Sequence, residues 1–278
     1  MEFARVLGRR RDVHFYCPWQ PVEVEKVQKV LEAARLASRA MNVAFFKAIV
    51  VLREQLSRAD RDALKTPFAR HQFDLAPVVI LWYHDMDAGP TDFADRRWPA
   101  VPSGAVYDAL ALPPLLGWSD RYVSEVVLPE VLGPAWSRGR RPGGNADVGV
   151  AIGQAVLCAV DQGLGTALAP FSEEAARTLF GVPDGWEAVA AQFLGYPLED
   201  WEGIGQRAGE QPGPKVFEGD ARTPFPFDED HRELLRAAGM LTASDSAPWR
   251  EEELAYLGRL IDETSGPAPG GGAEEEEH

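Results

Sequence analysis

One stretch of the sequence constrains the fold more than any other. Residues 147–162, DVGVAIGQAVLCAVDQ, are apolar at most positions and long enough for about four helical turns. A helix that is apolar on nearly all faces lies in the interior of a protein rather than on its surface. Gly163 follows, where glycine commonly ends a helix. The sequence therefore predicts a central helix around which the rest of the chain packs.

Further apolar segments predict the strands of a sheet. Residues 44–52 (AFFKAIVVL) and 76–83 (APVVILWY) are apolar and rich in β-branched residues, which is typical of buried strands. In the second segment, a proline fits the first position of the strand. Residues 188–194 predict a third strand of this kind, and residues 166–169 a shorter one.

Helices are predicted between and after these strands. Residues 22–36 place apolar side chains at helical spacing, with charges on the opposite face. Ser172 is suited to cap a helix that runs to about residue 180. A shorter helix is predicted over residues 120–132, and a final helical pair over 228–238 and 248–263. Because helices and strands interleave irregularly, we expect an α+β sheet surrounded by helices.

Changes in composition along the chain suggest its organisation. We expect one main domain over residues 1–227, including a Pro- and Gly-rich C-terminal arm after Tyr196. Residues 85–146 are rich in proline, glycine and tryptophan, and we interpret them as an insertion that acts as a lid or binding loop. Residues 228–265 form a C-terminal helical extension, and residues 266–278 a disordered acidic tail.

The charge balance excludes several classes of partner. The 278 residues carry 43 acidic and 28 basic side chains, for a net charge of −15. Such a surface repels phosphate backbones and anionic lipids, so we expect no nucleic-acid partner and no membrane partner. The sequence contains no apolar segment typical of a signal peptide or a membrane span, and we expect a cytoplasmic protein.

Cysteine and histidine usage argues against two other kinds of site. The two cysteines, Cys17 and Cys158, do not support a disulfide framework, and Cys158 falls within the apolar helical stretch. The histidines lack the spacing of a zinc-binding helix, so no metal site is predicted. His84 and Asp85 follow a predicted strand, where His84 is either a general acid or a satisfied strand-end residue.

Four short motifs occur in order along the chain. They are Arg10-Arg11-Asp12, LEAARLASRAMN at residues 31–42, GLGTALAPF at 163–171 and FLGYP at 193–197. Together they resemble the FMN-dependent nitroreductase family over most of residues 8–200, except for the insertion. The resemblance implies a central mixed or antiparallel sheet surrounded by helices, with a C-terminal arm.

The first motif predicts a phosphate site. Three consecutive arginines begin at Arg9 in an otherwise acidic chain, and guanidinium groups suit phosphate oxygens. By resemblance, Arg10 and Arg11 hold the FMN phosphate and ribityl chain. Asp12 replaces the usual serine and can accept hydrogen bonds from the ribityl or ring groups, but not from phosphate. The alternative is a basic surface patch. The resemblance places a further phosphate ligand at Arg207, or at Lys215 if the arm is shifted.

The second motif predicts contacts with the flavin ring. Ser38, Arg39 and Asn42 fall in the loop after the first long helix, and Asn42 matches a flavin-contacting asparagine of the family. An amide can donate to and accept from a ring edge, although Asn42 is also suited to a helix C-cap. This loop departs from the family, because Arg39 replaces a small serine and Ala44 replaces a common glutamine.

The third motif is expected to run beside the flavin from its dimethylbenzene ring towards N5. The resemblance assigns Ala169, Pro170 and Phe171 to this contact, with a backbone N–H near N5 that stabilises the electron-rich reduced ring. Since Pro170 has no N–H, Phe171 is the expected donor. The alternative interpretation of residues 163–171 is an ordinary helix–turn–strand connection with a glycine cap.

The resemblance implies a flavin oxidoreductase. The family forms homodimers with two FMN molecules at the subunit interface, and passes hydride from NAD(P)H through the flavin to a small nitro, quinone or similar acceptor. No catalytic side chain is predicted. Two alternatives stay open. One is a specialised member that dehydrogenates or fragments a dedicated substrate, including the flavin-cleaving type that makes dimethylbenzimidazole. The other is a flavin-binding or flavin-free scaffold without catalytic activity.

Overall fold

The computed structural model describes most of the chain, and its centre is one antiparallel sheet. The described residues are 2–38, 45–87, 120–122, 125–126, 130, 144–199, 216–226, 230–241 and 251–265. Four strands lie in the order β1-β2-β4-β3, and all neighbours are antiparallel. The strands are β1 (Phe46–Leu52), β2 (Val78–Asp85), β3 (Gly165–Ala169) and β4 (Trp186–Gly195). The predicted sheet is confirmed, with strand ends shifted by one to two residues.

Strand β2 is central and buried along its whole length, so its alternating side chains enter two cores. Ile80 and Trp82 face the core that contains helices α2 (Val24–Arg35) and α5 (Gly144–Asp161). Leu81 faces the opposite core. The sheet is therefore the middle layer of a three-layer arrangement.

Short helices cover the opposite face of the sheet. These are α3 (Arg58–Leu64), α4 (His71–Leu75) and α6 (Glu173–Phe180). Their buried side chains include Leu64, and Phe73 meets Phe193 of β4 at 4.9 Å between ring centroids. The sequence patterns did not predict α3 or α4, because five to seven residues are too few to show a helical period.

The remaining helices lie towards the chain ends. Helix α1 (Phe3–Arg9) was not predicted and contacts α5. The predicted final pair is present as α7 (His231–Ala237) and α8 (Glu251–Ser265). Helix α8 contacts α4 and buries Leu257. The predicted helix at 120–132 is described only in part, with a helical turn at Asp120–Tyr122.

The two predicted cap residues, Ser172 and Gly163, lie at helix ends, and Gly181 is a further cap that was not predicted. The Ser172 hydroxyl accepts a hydrogen bond from the Ala175 N–H at 3.3 Å and caps α6. Gly181 ends the same helix with φ of +63°, in the left-handed region that favours glycine. Gly163 follows α5 with φ of +76°. Both glycines turn the chain back towards the sheet.

Helix α5 differs from its prediction in one respect. Ala151, Ala155 and Ala159 are buried against the sheet, but Val150 is 44% exposed. Gly153, one turn along, also lies at the surface, and a methyl group added there would meet no atom within 4 Å. The helix is therefore central, yet Val150 and Gly153 are exposed in the single chain, next to the exposed Gln154.

No helix in the described parts of the chain combines the length and apolarity needed to cross a bilayer.

Candidate flavin site

The N-terminal segment forms an addition to the outer edge of the sheet. The Val13 N–H donates to the Thr166 carbonyl at 3.1 Å, and Asp12 forms a parallel bridge with Thr166. Further along, Tyr16 bridges Pro197, beyond the end of β4. The Glu199 carboxylate accepts hydrogen bonds from two backbone N–H groups of this segment, at 2.6 and 3.1 Å. The first and third motifs therefore lie side by side.

Close packing explains one glycine of the third motif. A Cβ atom added to Gly165 would lie 3.0 Å from the Val13 side chain and from the Pro197 ring. Any larger residue pushes the N-terminal segment away from β3. The glycine thus allows the arginine-bearing segment to approach the strand.

The two arginines of the first motif differ in their exposure to solvent. The Arg10 side chain is 39% exposed, and its guanidinium lies 3.4 Å from the Asp12 carboxylate. Arg11 is 4% exposed, and its Nη1 donates to the carbonyls of Gly8 at 2.7 Å and Arg10 at 2.9 Å. Arg10 is therefore accessible to a ligand, whereas Arg11 supports the backbone at the end of α1.

A small cavity lies beside Arg11. Its volume is about 140 Å³, and Arg9, Arg11 and the 163–166 turn contribute to its lining. This volume accommodates a small group but does not enclose a three-ring flavin. Arg9 and Arg11 line this cavity together with Val160, near the carboxyl end of α5. Guanidinium groups at such a position compensate the partial negative charge of the helix end.

A buried polar chain fixes β3 against the centre of the sheet. The Trp82 indole N–H donates to the Gln192 side-chain oxygen at 3.0 Å. The Gln192 amide nitrogen donates in turn to the Thr166 hydroxyl at 3.2 Å. Gln192 is fully buried and Thr166 is 1% exposed. Sequence reasoning missed Gln192, whose only signal was a polar residue in the middle of an apolar strand.

The segment that follows β3 is held by the opposite helical layer. The Thr66 hydroxyl donates to the Pro170 carbonyl at 3.1 Å. The Ser172 N–H donates to the Leu64 carbonyl at 3.0 Å. The Phe171 ring, in turn, meets Tyr83 edge-on at 5.7 Å between centroids. Residues 170–172 are therefore fixed on three sides.

The expected donor of the third motif has no acceptor of its own. Among the described residues, none accepts a hydrogen bond from the Phe171 N–H. Such an N–H is suited to an acceptor atom of a ligand. Phe171 follows Thr166 by five residues. Five residues of extended chain span about 17 Å, so the N–H and the Arg10 segment are separated along the edge of one strand.

Several predicted site residues lie outside the described part of the chain. These are Arg39, Asn42, Arg207 and the substitute Lys215. Ser38 is described and exposed at the end of the segment that follows α2. The structure therefore places the segment that follows Arg10 beside Thr166 of β3, while the predicted flavin contacts of Ala169–Phe171 and of the asparagine loop stay predictions.

His84 lies inside β2 rather than after it. It is 4% exposed and meets the Phe45 ring edge-on at 6.1 Å. The neighbouring Asp85 carboxylate lies 3.1 Å from Lys47 Nζ in an ion pair. These contacts place His84 within the buried strand, and they do not decide between a general acid and a satisfied strand residue, because its buried Nε2 makes no hydrogen bond with the described residues.

Thiol and metal chemistry receive no support from the described residues. Burial raises the pKa of both thiols, Cys17 and Cys158, so neither is activated as a thiolate. Within the described ranges, no group of three or more His, Cys, Asp or Glu side chains is arranged to hold a metal ion.

Solved structures with the same architecture include flavoproteins. A nitroreductase family protein from Streptococcus pneumoniae is 17% identical, with a TM-score of 0.55 over 79% of this chain and 100% of its own. A protein from Exiguobacterium sibiricum, described as a nitroreductase in complex with FMN, is 18% identical, with a TM-score of 0.53 over 76% and 94%. A gut-bacterial enone reductase is 16% identical, with a TM-score of 0.53 over 72% and 90%.

No family model matches the sequence, and neither does any curated protein. At identities of 16–18%, the structural matches identify the fold. The chain has the nitroreductase fold, and the resemblance that its four motifs suggested is confirmed at that level.

Proposed function

We propose that this protein is an FMN-dependent oxidoreductase that binds its flavin along the outer edge of β3, beside the N-terminal segment that pairs with Thr166. The observation that supports the proposal most strongly is the arrangement of this edge. An accessible guanidinium, Arg10, lies at one end, and the Phe171 N–H, which has no acceptor among the described residues, lies at the other. Solved proteins of the same fold include one in complex with FMN.

The residues present fit the group chemically. Arg10 would take the phosphate, because its ion pair with Asp12 is solvent-exposed and therefore weak enough to be replaced. Asp12 would accept hydrogen bonds from the ribityl hydroxyls. Ala169–Phe171 would lie along the ring, with Ser38, Arg39 and Asn42 at its other edge and Arg207 as a further phosphate ligand. Arg11 would stabilise the backbone at Arg10 rather than bind phosphate itself, because its guanidinium donates hydrogen bonds to the carbonyls of Gly8 and Arg10.

When bound, FMN supplies hydride acceptance and donation at N5. The chain's own contribution is position and charge. The Phe171 N–H would donate to the electron-rich side of the ring, and the rigid segment behind it prevents the donor from moving away. We propose NAD(P)H as the electron donor and a nitro compound, quinone or similar electron-poor small molecule as the acceptor. A cytoplasmic location is part of the proposal.

A homodimer would complete the site. The exposed side of α5 includes Gly149, Val150 and Gly153 next to the polar Gln154. Small residues at this spacing allow two helices to approach closely. We therefore propose that a second copy covers α5 and that the FMN lies at the resulting interface, touched by both subunits.

Anaerobic reduction of the FMN-loaded protein tests this function. The flavin absorbance near its visible maximum is followed while NADPH or NADH is added without oxygen. Bleaching followed by recovery on addition of a quinone supports the reductase. A bound flavin that neither nicotinamide reduces contradicts the reductase and favours the specialised, dedicated-substrate alternative. A protein that takes up no FMN contradicts the proposal as a whole.

A further inference from the structure

The peptide between Pro170 and Phe171 carries the proposed flavin donor. A side chain of the opposite helical layer donates a hydrogen bond to this same peptide. The Phe171 N–H and the Pro170 carbonyl belong to one planar trans peptide, so they point in opposite directions. The Thr66 hydroxyl donates to that carbonyl at 3.1 Å. Thr66 therefore contacts the same amide group as the proposed ligand, from the opposite end.

Thr66 is itself held in place by its neighbours. The Ala69 N–H donates to the Thr66 carbonyl at 3.1 Å, closing a turn with Pro67 at its second position. Lys65 Nζ lies 2.7 Å from the buried Asp74 carboxylate. Leu64 is 1% exposed, and its carbonyl accepts the Ser172 N–H at 3.0 Å. The hydroxyl is thus presented by a rigid segment rather than by a loose loop.

Two physical effects follow from this contact. A hydrogen bond to the carbonyl fixes the rotation of the peptide plane, and with it the direction of the Phe171 N–H. It also polarises the amide, because hydrogen bonds in series strengthen one another. Both effects make the N–H a better donor towards an electron-rich acceptor.

We propose that Thr66 is a positioning residue that raises the reduction potential of the bound flavin by orienting and polarising the 170–171 peptide. This inference rests on the proposed function. Thr66 acts through the peptide, and no contact between its side chain and the flavin is required. Nothing in the sequence pattern indicated the residue, since it lies more than one hundred positions from Pro170.

The test is a redox titration of FMN-loaded wild type, Thr66→Val and Thr66→Ser. Valine keeps the shape of threonine but removes the hydroxyl, and serine restores it. We expect Thr66→Val to lower the ratio of reduced to oxidised flavin at a fixed potential about tenfold, or about 30 mV for a two-electron couple. Thr66→Ser should return the midpoint to near the wild-type value.

The outcomes distinguish failure of the role of Thr66 from failure of the proposed function. If Thr66→Val binds FMN at full stoichiometry with an unchanged midpoint, the role of Thr66 is refuted and the proposed function stands. A midpoint that drops equally in both variants also refutes it, because the hydroxyl is then irrelevant. If Thr66→Val does not fold, the test rests on Thr66→Ser. This variant should keep the midpoint potential of the wild-type flavin, and a large drop in that potential overturns the inference. Absence of FMN from wild type overturns both proposals.

Discussion

Arg10 and Arg11 are adjacent in the sequence but occupy opposite environments. Arg10 is accessible and, among the described residues, pairs with the exposed Asp12 carboxylate, while Arg11 is buried and bonded to two carbonyls. Composition alone shows that the cluster is cationic. It does not show which guanidinium is available, because that depends on how the segment pairs with β3.

Substitution of the two arginines should therefore have different effects. Arg10→Gln removes a charge-assisted hydrogen bond to phosphate, and we expect FMN to bind about 10- to 100-fold more weakly with unchanged stability. Arg11→Gln leaves the two carbonyls without their donor and should lower the free energy of unfolding by about 2 kcal/mol. Fluorescence titration with FMN and urea denaturation measure the two quantities.

The exposed Arg35 on α2 provides the matched control. Its pair with Glu32 lies on the surface, so Arg35→Gln should change neither FMN affinity nor stability measurably. The assignment of roles is wrong if Arg11→Gln weakens FMN binding more than Arg10→Gln does without destabilising the fold.

His71 makes stability depend on pH. Burial lowers the pKa of His71 below its usual value of 6.5, with smaller contributions of the same sign from Arg70, Lys65 and His14 and an opposing one from Asp74. The unfolded chain then binds a proton more readily than the native one. Stability from this residue is present above the unfolded pKa and is lost as the pH falls through 6.5 towards the lower native value.

Thermal unfolding between pH 5 and pH 8 measures this effect. The wild type should lose stability on acidification more steeply than His71→Gln, which cannot take up the proton. Parallel pH profiles for the two proteins would show that His71 does not titrate differently in the folded state. Because His71 stacks on Phe15 at 6.1 Å, part of any constant offset reflects the lost ring contact.

At the scale of elements, helix α3 and its partner α4 depend on one buried charge. Asp74 is 2% exposed and lies 2.7 Å from Lys65 Nζ and 3.6 Å from Arg61 Nε. Its backbone carbonyl also accepts a hydrogen bond from Arg53. The Asp74 carboxylate thus joins α4 to α3, two short helices that have little stability of their own.

Removal of this carboxylate should loosen the layer behind residues 170–172. We expect Asp74→Asn to lower the free energy of unfolding by about 3 kcal/mol, because partly buried cations lose their counter-ion. Chemical denaturation measures the change. Asp184→Asn is the control, since the Asp184 side chain is fully exposed beside Arg177 and should contribute nothing measurable. Equal stability of the two variants would contradict this account of α3 and α4.

The elements differ in how far the sequence predicted them. Strands β1, β2 and β4 and helices α2 and α5 were predicted because each is long enough to show a clear apolar pattern. Short helices α3 and α4 were missed, and so was the ion cluster at Asp74, which pairs residues across a turn. The strand edge at Arg10 and Thr166 was located only through the motifs, since strand pairing is not encoded in local periodicity.

For the whole molecule, the exposed side of α5 is the surface on which we propose that a second copy packs. Val150 is 44% exposed on a helix whose opposite face is fully buried. If a second copy covers this face, Val150→Glu should yield monomers and reduce FMN uptake together. Sedimentation and flavin absorbance measure both. Val189 of β4, which is 45% exposed, provides a control of equal exposure, and Val189→Glu should leave both unchanged.

A monomeric Val150→Glu protein that still takes up the full amount of FMN would place the flavin within one subunit and contradict the interface site. A dimeric variant with normal flavin content would show that α5 is covered by something other than its own copy.

We propose that the Arg10 segment and residues 169–171 form one flavin site on the edge of β3. The most direct test of this proposal is a titration of the flavin-free protein with FMN, followed by quenching of flavin fluorescence. We expect saturable binding of one FMN per chain, about 10- to 100-fold weaker in Arg10→Gln. Absence of saturable binding, or binding that Arg10→Gln leaves unchanged, would contradict it.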